Sequence, residues 1–283
     1  LKHVIGTDYT EIVKSRKNKR DLPFVLKLKQ KLDIERLQAE LHMLLSMTQS
    51  ADGFQYDKAS SEHNYNLSNT KGVNFVQNYD EIYKTYAKIG FQSLTDEAVE
   101  YTKTVSKPIE DFTPYERAKG MKNTGSKFYH PYYDERNYTK ETEFCTPYIR
   151  EILHSFGSDV ACRSAIVTLT PGKFLSPHFD IGPEYVLRLQ IPIVTNPQAV
   201  MGFRREADVW EEFHMPADGT MYMVNSGWEH YAVNNSDENR YQLRICLNGQ
   251  ASLDGAEEML PTRRGQKAAT TSERMTTILW QTQ

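Results

Sequence analysis

Apolar and polar positions change rhythm near residue 150, and the change divides the chain into two kinds of structure. Residues 24–28 (FVLKL) alternate apolar and basic side chains, the pattern of an edge strand. Asp33 then stands where a helix cap belongs, and Leu37, Leu41, Leu44 and Leu45 recur at the spacing of one helical face. Residues 50–71 show no period and are rich in Ser, Asn, Gly and Tyr, which predicts a long loop. Residues 80–89 and 96–105 predict short helices. Residues 108–147 predict an irregular, tyrosine-rich segment that holds Tyr129, Tyr132, Tyr133 and Tyr138. Residues 146–156 predict a helix, with Pro147 in its first turn and Gly157 just past its end.

Beyond Arg163 the period shortens to two. Strands are predicted at residues 165–170, 185–194, 200–204, 221–225, 230–233 and 240–247. Turn residues punctuate them: Pro171-Gly172, Asp218-Gly219, Asn225-Ser226-Gly227 and the stretch 234–239. Short strands at this spacing, with little helix between them, predict a sandwich or jelly roll rather than a parallel sheet. The polar residues 250–283 predict a tail or lid. The expected organisation is one mainly β domain with flanking helices over 1–283. Residues 1–150 form its mixed helical and irregular part, and 151–249 the strand-rich core.

Composition narrows the function by exclusion. A net charge of −3 offers no basic field to nucleic acid or to an anionic membrane. The basic cluster at residues 14–20 is expected to be a solvated segment. Three cysteines, far apart and odd in number, argue against a disulfide framework and fit a reducing compartment. No apolar run approaches the ~18 residues of a membrane span. A soluble protein of the cytoplasm or an organelle is expected, and a chain that starts at Leu1 is compatible with a trimmed targeting segment.

The chemistry is concentrated in the second half. His178-Phe179-Asp180 is answered by His230, and two imidazoles with one carboxylate make the facial triad that binds Fe(II) and leaves positions open. A His-x-Asp triplet alone carries little weight, because composition often supplies one by chance. Residues two apart on a strand share a face, so His178 and Asp180 can converge on one ion. Two other readings stand beside this one: a surface pair with a core histidine, and a catalytic zinc site. The other histidines compete poorly, since His154 and His214 lack an acid or thiol at ligand spacing. His42 rides the leucine-lined helix, and His130 fits a loop.

Arg240, Gln242 and Arg244 share one face of a strand whose other face carries Tyr241, Leu243 and Ile245. Arg188 and Gln190 share a face in the same manner. An inward guanidinium in an apolar strand calls for an anion, and its planar fork suits a carboxylate. The alternative is the solvent face of amphipathic strands.

His178-Phe-Asp180, the stretch 188–197 (RLQIPIVTNP), the stretch 219–225 (GTMYMVN), His230, Asn234 and the stretch 239–243 (NRYQL) together resemble a known family. It is the aspartyl/asparaginyl β-hydroxylase-like branch of the Fe(II)/2-oxoglutarate-dependent oxygenases. The resemblance implies a double-stranded β-helix core, of jelly-roll or cupin-like form. It implies that His178, Asp180 and His230 bind Fe(II), that Arg240 binds the distal carboxylate of 2-oxoglutarate, and that Arg188 contacts a carboxylate of substrate or cosubstrate. Gln190, beside the cosubstrate, departs from the histidine of the animal protein hydroxylases. Asp180 departs from the glycine that those hydroxylases and the amino-acid halogenases carry. A carboxylate there fills the position a halide needs, which argues against halogenation.

The activity implied is oxidation of an unactivated C–H bond, with O2 as oxidant and ascorbate in support. The outcome is hydroxylation or a radical variant such as oxidative cyclisation or desaturation. A small, carboxylate-bearing, amino-acid-like substrate is expected, with Arg188, Arg244, Trp228, Tyr129 and Tyr132 as its candidate contacts. Two other classes remain open: another metal-dependent cupin-type enzyme (a zinc hydrolase or isomerase) and a non-catalytic cupin-like binding module.

Overall fold

The computed structural model describes residues 17–49, 86–93, 95–97, 107–108, 128–129, 135–157, 160–206, 209–248 and 253–266. The first half contributes strand β1 (Val25–Lys31), helix α1 (Ile34–Gln49) and the short strands β2 (Tyr86–Gly90), β3 (Gln92–Ser93), β4 (Lys107–Pro108), β5 (Phe128–Tyr129) and β6 (Lys140–Glu141). Helix α2 (Pro147–Ser155) follows. The second half is β7 (Ala161–Leu169), β8 (Lys173–His178), β9 (Leu187–Val194), β10 (Ala199–Arg204), β11 (Val209–Phe213), β12 (Thr220–Val224), β13 (Glu229–Asn234), β14 (Arg240–Leu247), β15 (Glu257–Glu258) and β16 (Arg263–Gln266).

The eight strands β7 to β14 pair from the outside in. β7 lies on β14, β8 on β13, β9 on β12 and β10 on β11, all antiparallel. Such a nested set, folded over on itself, gives two facing sheets, the jelly roll expected from the strand spacing and the double-stranded β-helix that the resemblance implies. One sheet has the order β15-β1-β12-β9-β14-β7-β2 and the other β16-β11-β10-β13-β8. β3 pairs with β6 and β4 with β5 as small separate ribbons.

The larger sheet is buried on both sides. Leu189, Ile191, Leu243 and Ile245 pack against Leu37, Leu41 and Leu44 of α1 and Ile149, Ile152 and Leu153 of α2. On the opposite side Tyr222 and Val224 meet Met201, Phe203, Phe213 and Ala232 of the smaller sheet, with Phe24 stacked on Phe203 at 5.4 Å. Asp33 caps α1 by accepting from the Arg36 amide at 3.0 Å. Pro147 opens α2, and Glu40 of α1 accepts from the Tyr148 and Ile149 amides at 2.8 and 3.1 Å, a carboxylate on a helix N-terminus. No helix among the described residues is long and apolar enough to cross a membrane.

Three expectations need correction. Of the helix expected at residues 80–89, positions 86–89 belong instead to strand β2 and the rest lie outside the described residues; β7 has an open edge that β2 fills in register from Tyr86↔Leu169 to Gly90↔Ala165. Asp96 and Glu97 are helical, while the rest of the second expected helix and the expected loop 50–71 lie outside the described residues. β1 is not an edge strand, since β15 pairs with it on the side away from β12. Residues 250–283 are not wholly a tail or lid: β15 and β16 extend the two sheets, and Met259 is buried between them and the core.

Candidate metal centre

His178 is the last residue of β8 and pairs in register with His230 on β13. Between Leu175 and His178 the register slips by one residue relative to β13, a bulge over the Ser176-Pro177 dipeptide. Proline cannot donate to the ladder, so the bulge falls where the sequence already breaks the pairing. Asp180 therefore does not share a strand face with His178; it lies in the loop beyond. Its amide donates to the Ser226 carbonyl at 3.0 Å, which folds the loop back towards β13.

The result is convergence. One ligand atom from each of His178, Asp180 and His230 lies within 4.8 Å of the other two. The two imidazole rings stand 4.3 Å apart, and His230 Nε2 is 3.7 Å from Asp180 Oδ2. His230 Nδ1 lies 2.9 Å from the Trp228 carbonyl, so that nitrogen carries the proton and Nε2 keeps its lone pair for an ion. Burial pushes the His230 imidazole down to about 4 against the pull of Asp180, which leaves it neutral. Burial works against the charge on Asp180, but Arg188, His230 and His178 outweigh it and hold the carboxyl well below its usual range. Two imidazoles and an ionised carboxylate are the donor set that Fe(II) accepts. Among the described residues no other cluster of three such groups occurs.

The triad forms one wall of a cavity of about 280 Å³ between the two sheets. The facing wall is made by Arg188 and Gln190 of β9 and by Arg240, Gln242 and Arg244 of β14. All five side chains are buried. They are therefore not a solvent face. Gln242 Nε2 donates to Gln190 Oε1 across the strands. With four arginines against two carboxylates, the lining is cationic before any metal binds. Arg240 is 6% exposed, and a guanidinium so placed suits the carboxylate of a bound dicarboxylate.

Other expected contacts fare differently. Arg188 donates through Nη1 to Asp180 at 2.8 Å and through Nη2 to both oxygens of Glu135 at 3.1 Å. Its charge is engaged by the protein itself. Trp228 is not among the residues that line the cavity. Its Nε1 donates to the Lys19 carbonyl at 2.8 Å, its ring meets Phe24 edge-on, and Lys19 Nζ sits 4.7 Å from its centroid. It fastens the N-terminal segment, and Lys19 of the basic cluster is half-buried by the same contact. Tyr129 falls on β5 and Tyr132 lies outside the described residues. His154 does meet an acid, Glu141 at 2.9 Å, as an exposed pair far from the cavity.

Glu135 and Arg163 also line the cavity and were not legible beforehand. Glu135 is one acid in an irregular, polar stretch, and Arg163 precedes the first regular period of its strand. No local pattern marks either.

A family model for aspartyl/asparaginyl β-hydroxylases matches residues 90–248, more than half of the 283-residue chain. No curated protein sequence matches it. Among solved structures, an oxidoreductase of the 2OG-Fe(II) oxygenase family from Burkholderia pseudomallei is 20% identical, with a TM-score of 0.27 over 35% of this chain and 52% of its own. The chain thus spans about half the length of that protein. An oxalate decarboxylase from Bacillus subtilis is 25% identical (TM-score 0.25; 32% of this chain, 22% of that one). A cupin domain from Bordetella pertussis is 18% identical (TM-score 0.25; 31% and 81%). The matched segment runs from the end of β2 through the whole of β14 and so contains the triad and both walls of its cavity. This chain belongs to the aspartyl/asparaginyl β-hydroxylase family.

Proposed function

We propose that the protein is an Fe(II)- and 2-oxoglutarate-dependent oxygenase that oxidises an unactivated C–H bond of a small, carboxylate-bearing, amino-acid-like substrate. Hydroxylation is the expected outcome, with oxidative cyclisation or desaturation as radical variants of it. The observation that carries this reading is the pairing of two walls: a His178–Asp180–His230 cluster on one, buried arginines on the other.

His178, His230 and Asp180 would hold the iron, and three protein donors leave positions for small molecules. Bound iron, with 2-oxoglutarate and O2, supplies the oxidising power, and succinate and CO2 are the co-products. Arg240 would take the distal carboxylate of 2-oxoglutarate. Arg244, on the same face of β14, is the better candidate for the substrate's carboxylate, because Arg188 is held between Asp180 and Glu135. The Gln190–Gln242 pair supplies neutral amides between these charges. The apolar side chains Met201, Ala232 and Leu175 beside the triad limit water near the reacting centre.

Anaerobic addition of 2-oxoglutarate to the Fe(II) protein should produce a visible metal-to-ligand charge-transfer band. A screen of amino acids and their N-alkylated derivatives, with ascorbate present, should then find one that drives succinate release. Absence of the band, with activity restored by zinc alone, would move the protein to the zinc hydrolases or isomerases.

A further inference from the structure

A second layer of charge meets the Asp180 carboxylate, on the same oxygen that lies 3.7 Å from His230 Nε2. Asp180 Oδ2 accepts from Arg188 Nη1 at 2.8 Å, and Arg188 Nη2 donates to Glu135 at 3.1 Å. Glu135 Oε1 also accepts from Arg163 Nη1 at 2.7 Å. The four groups alternate in sign from the metal site to the end of the cavity. Glu135 sits on a single 3-10 turn, Glu135–Asn137, whose three residues are all buried, and its own side chain is 1% exposed. A carboxylate so placed is tolerated only when paired.

The backbone is shaped to supply that pairing. Arg163 has φ +48, a conformation that residues with side chains seldom adopt. At the same point the β7–β14 register slips by one residue, between Ala165↔Arg244 and Cys162↔Cys246. The bulge turns a strand residue to Glu135, and the Arg163 amide bonds the Tyr138 carbonyl at 2.8 Å to tie the 3-10 segment to β7.

We propose that Glu135 is a positioning residue for the metal centre: acting through the rigid fork of Arg188, it fixes the Asp180 carboxylate where that group can meet His178 and His230. The inference rests on the three residues being metal ligands. Arg188 divides its two nitrogens between two carboxylates, so its plane is set by both. With Glu135 neutral, the whole guanidinium charge turns on Asp180 and draws it from the ion. The cavity also becomes more cationic. Both effects weaken metal binding.

The test is Co(II) titration of the metal-free full chain, followed by calorimetry and by the visible Co(II) bands, with thermal unfolding of each variant alongside. Glu135→Gln should raise the Co(II) Kd by about ten- to a hundredfold, the range for groups that orient a ligand, and should change the band pattern. Glu135→Asp, which keeps the charge, should restore most of the affinity. In an Arg188→Met background the Glu135→Gln change should add no further loss. Folded Glu135→Gln with native affinity and spectrum would overturn the proposal, as would an equal loss in the Arg188→Met background. Should Glu135→Gln alone fail to fold, the double variant against Arg188→Met decides, since it removes both charges together. A native protein that binds no Co(II) would sink the metal-centre reading instead.

Discussion

Strands β9 and β14 each have two buried faces of opposite chemistry. Towards the helices they present Leu189, Ile191, Leu243 and Ile245; towards the smaller sheet they present Arg188, Gln190, Arg240, Gln242 and Arg244. The first face is held by removal of apolar surface from water, worth roughly 25 cal/mol per Å². The second works against folding, because buried charge recovers its lost hydration only through good partners. One face therefore supports the fold and the other burdens it, and the burden falls where the cavity lies. Stability and chemistry are separated by a single alternation of side chains.

The largest effect expected is at the triad, on the wall that the charged face of β9 and β14 looks onto. His230→Ala should lower Fe(II) or Co(II) affinity by at least about a hundredfold, with loss of substrate-driven succinate, while urea unfolding of the metal-free protein changes far less. A large stability loss would blur the distinction between the faces.

Next comes the apolar face. Leu243→Ala, fully buried beneath the helices, should cost about 2–5 kcal/mol in urea unfolding. Metal affinity per folded molecule should be unchanged.

Arg240→Met should raise the 2-oxoglutarate concentration needed for half-maximal charge-transfer absorbance by ten- to a hundredfold, about 1.4–2.7 kcal/mol. Fe(II) affinity in the absence of 2-oxoglutarate should stay close to native. Equal loss of both would mean that Arg240 serves the fold rather than the cosubstrate.

The smallest effect is the sharpest test of sign. Arg244→Met replaces a buried cation by an apolar chain of similar length, and should leave unfolding free energy within about 1 kcal/mol of native or raise it. Its cost should appear in the substrate KM. A loss as large as that of Leu243→Ala would show that this cation stabilises the fold.

The two faces were also unequally legible. Period-two alternation at 240–247 marked Leu243 and Ile245 as one face and Arg240, Gln242 and Arg244 as the other, and the structure divides them in that way. Whether the polar face met solvent or a cavity depended on a second sheet that no local pattern describes. The helix at 146–156 was plain because proline and glycine act locally: Pro147 opens α2, and Gly157 takes φ +101 beyond its end. β8 was missed as a strand because Pro177 and the bulge break its alternation. A large aromatic near a histidine suggests a pocket wall, but nothing local announced that the Trp228 indole N–H would meet the Lys19 carbonyl, distant in sequence. Glu135 could be found only once Arg163 and Arg188 stood on either side of it.

The outside-in pairing of β7 to β14 has a consequence for the order of assembly. β9 lies between β12 and β14, so the strand that carries Arg188 cannot complete its ladder until Arg240–Leu247 is available. β7, the first of the eight, must wait for the same segment. During synthesis the emerging chain would hold two histidines and an aspartate opposite only the β9 part of the facing wall, and its interior edges would be open to other chains. Pairings this remote in sequence fold slowly. A chain truncated before Arg240 should therefore yield insoluble material rather than a weak enzyme.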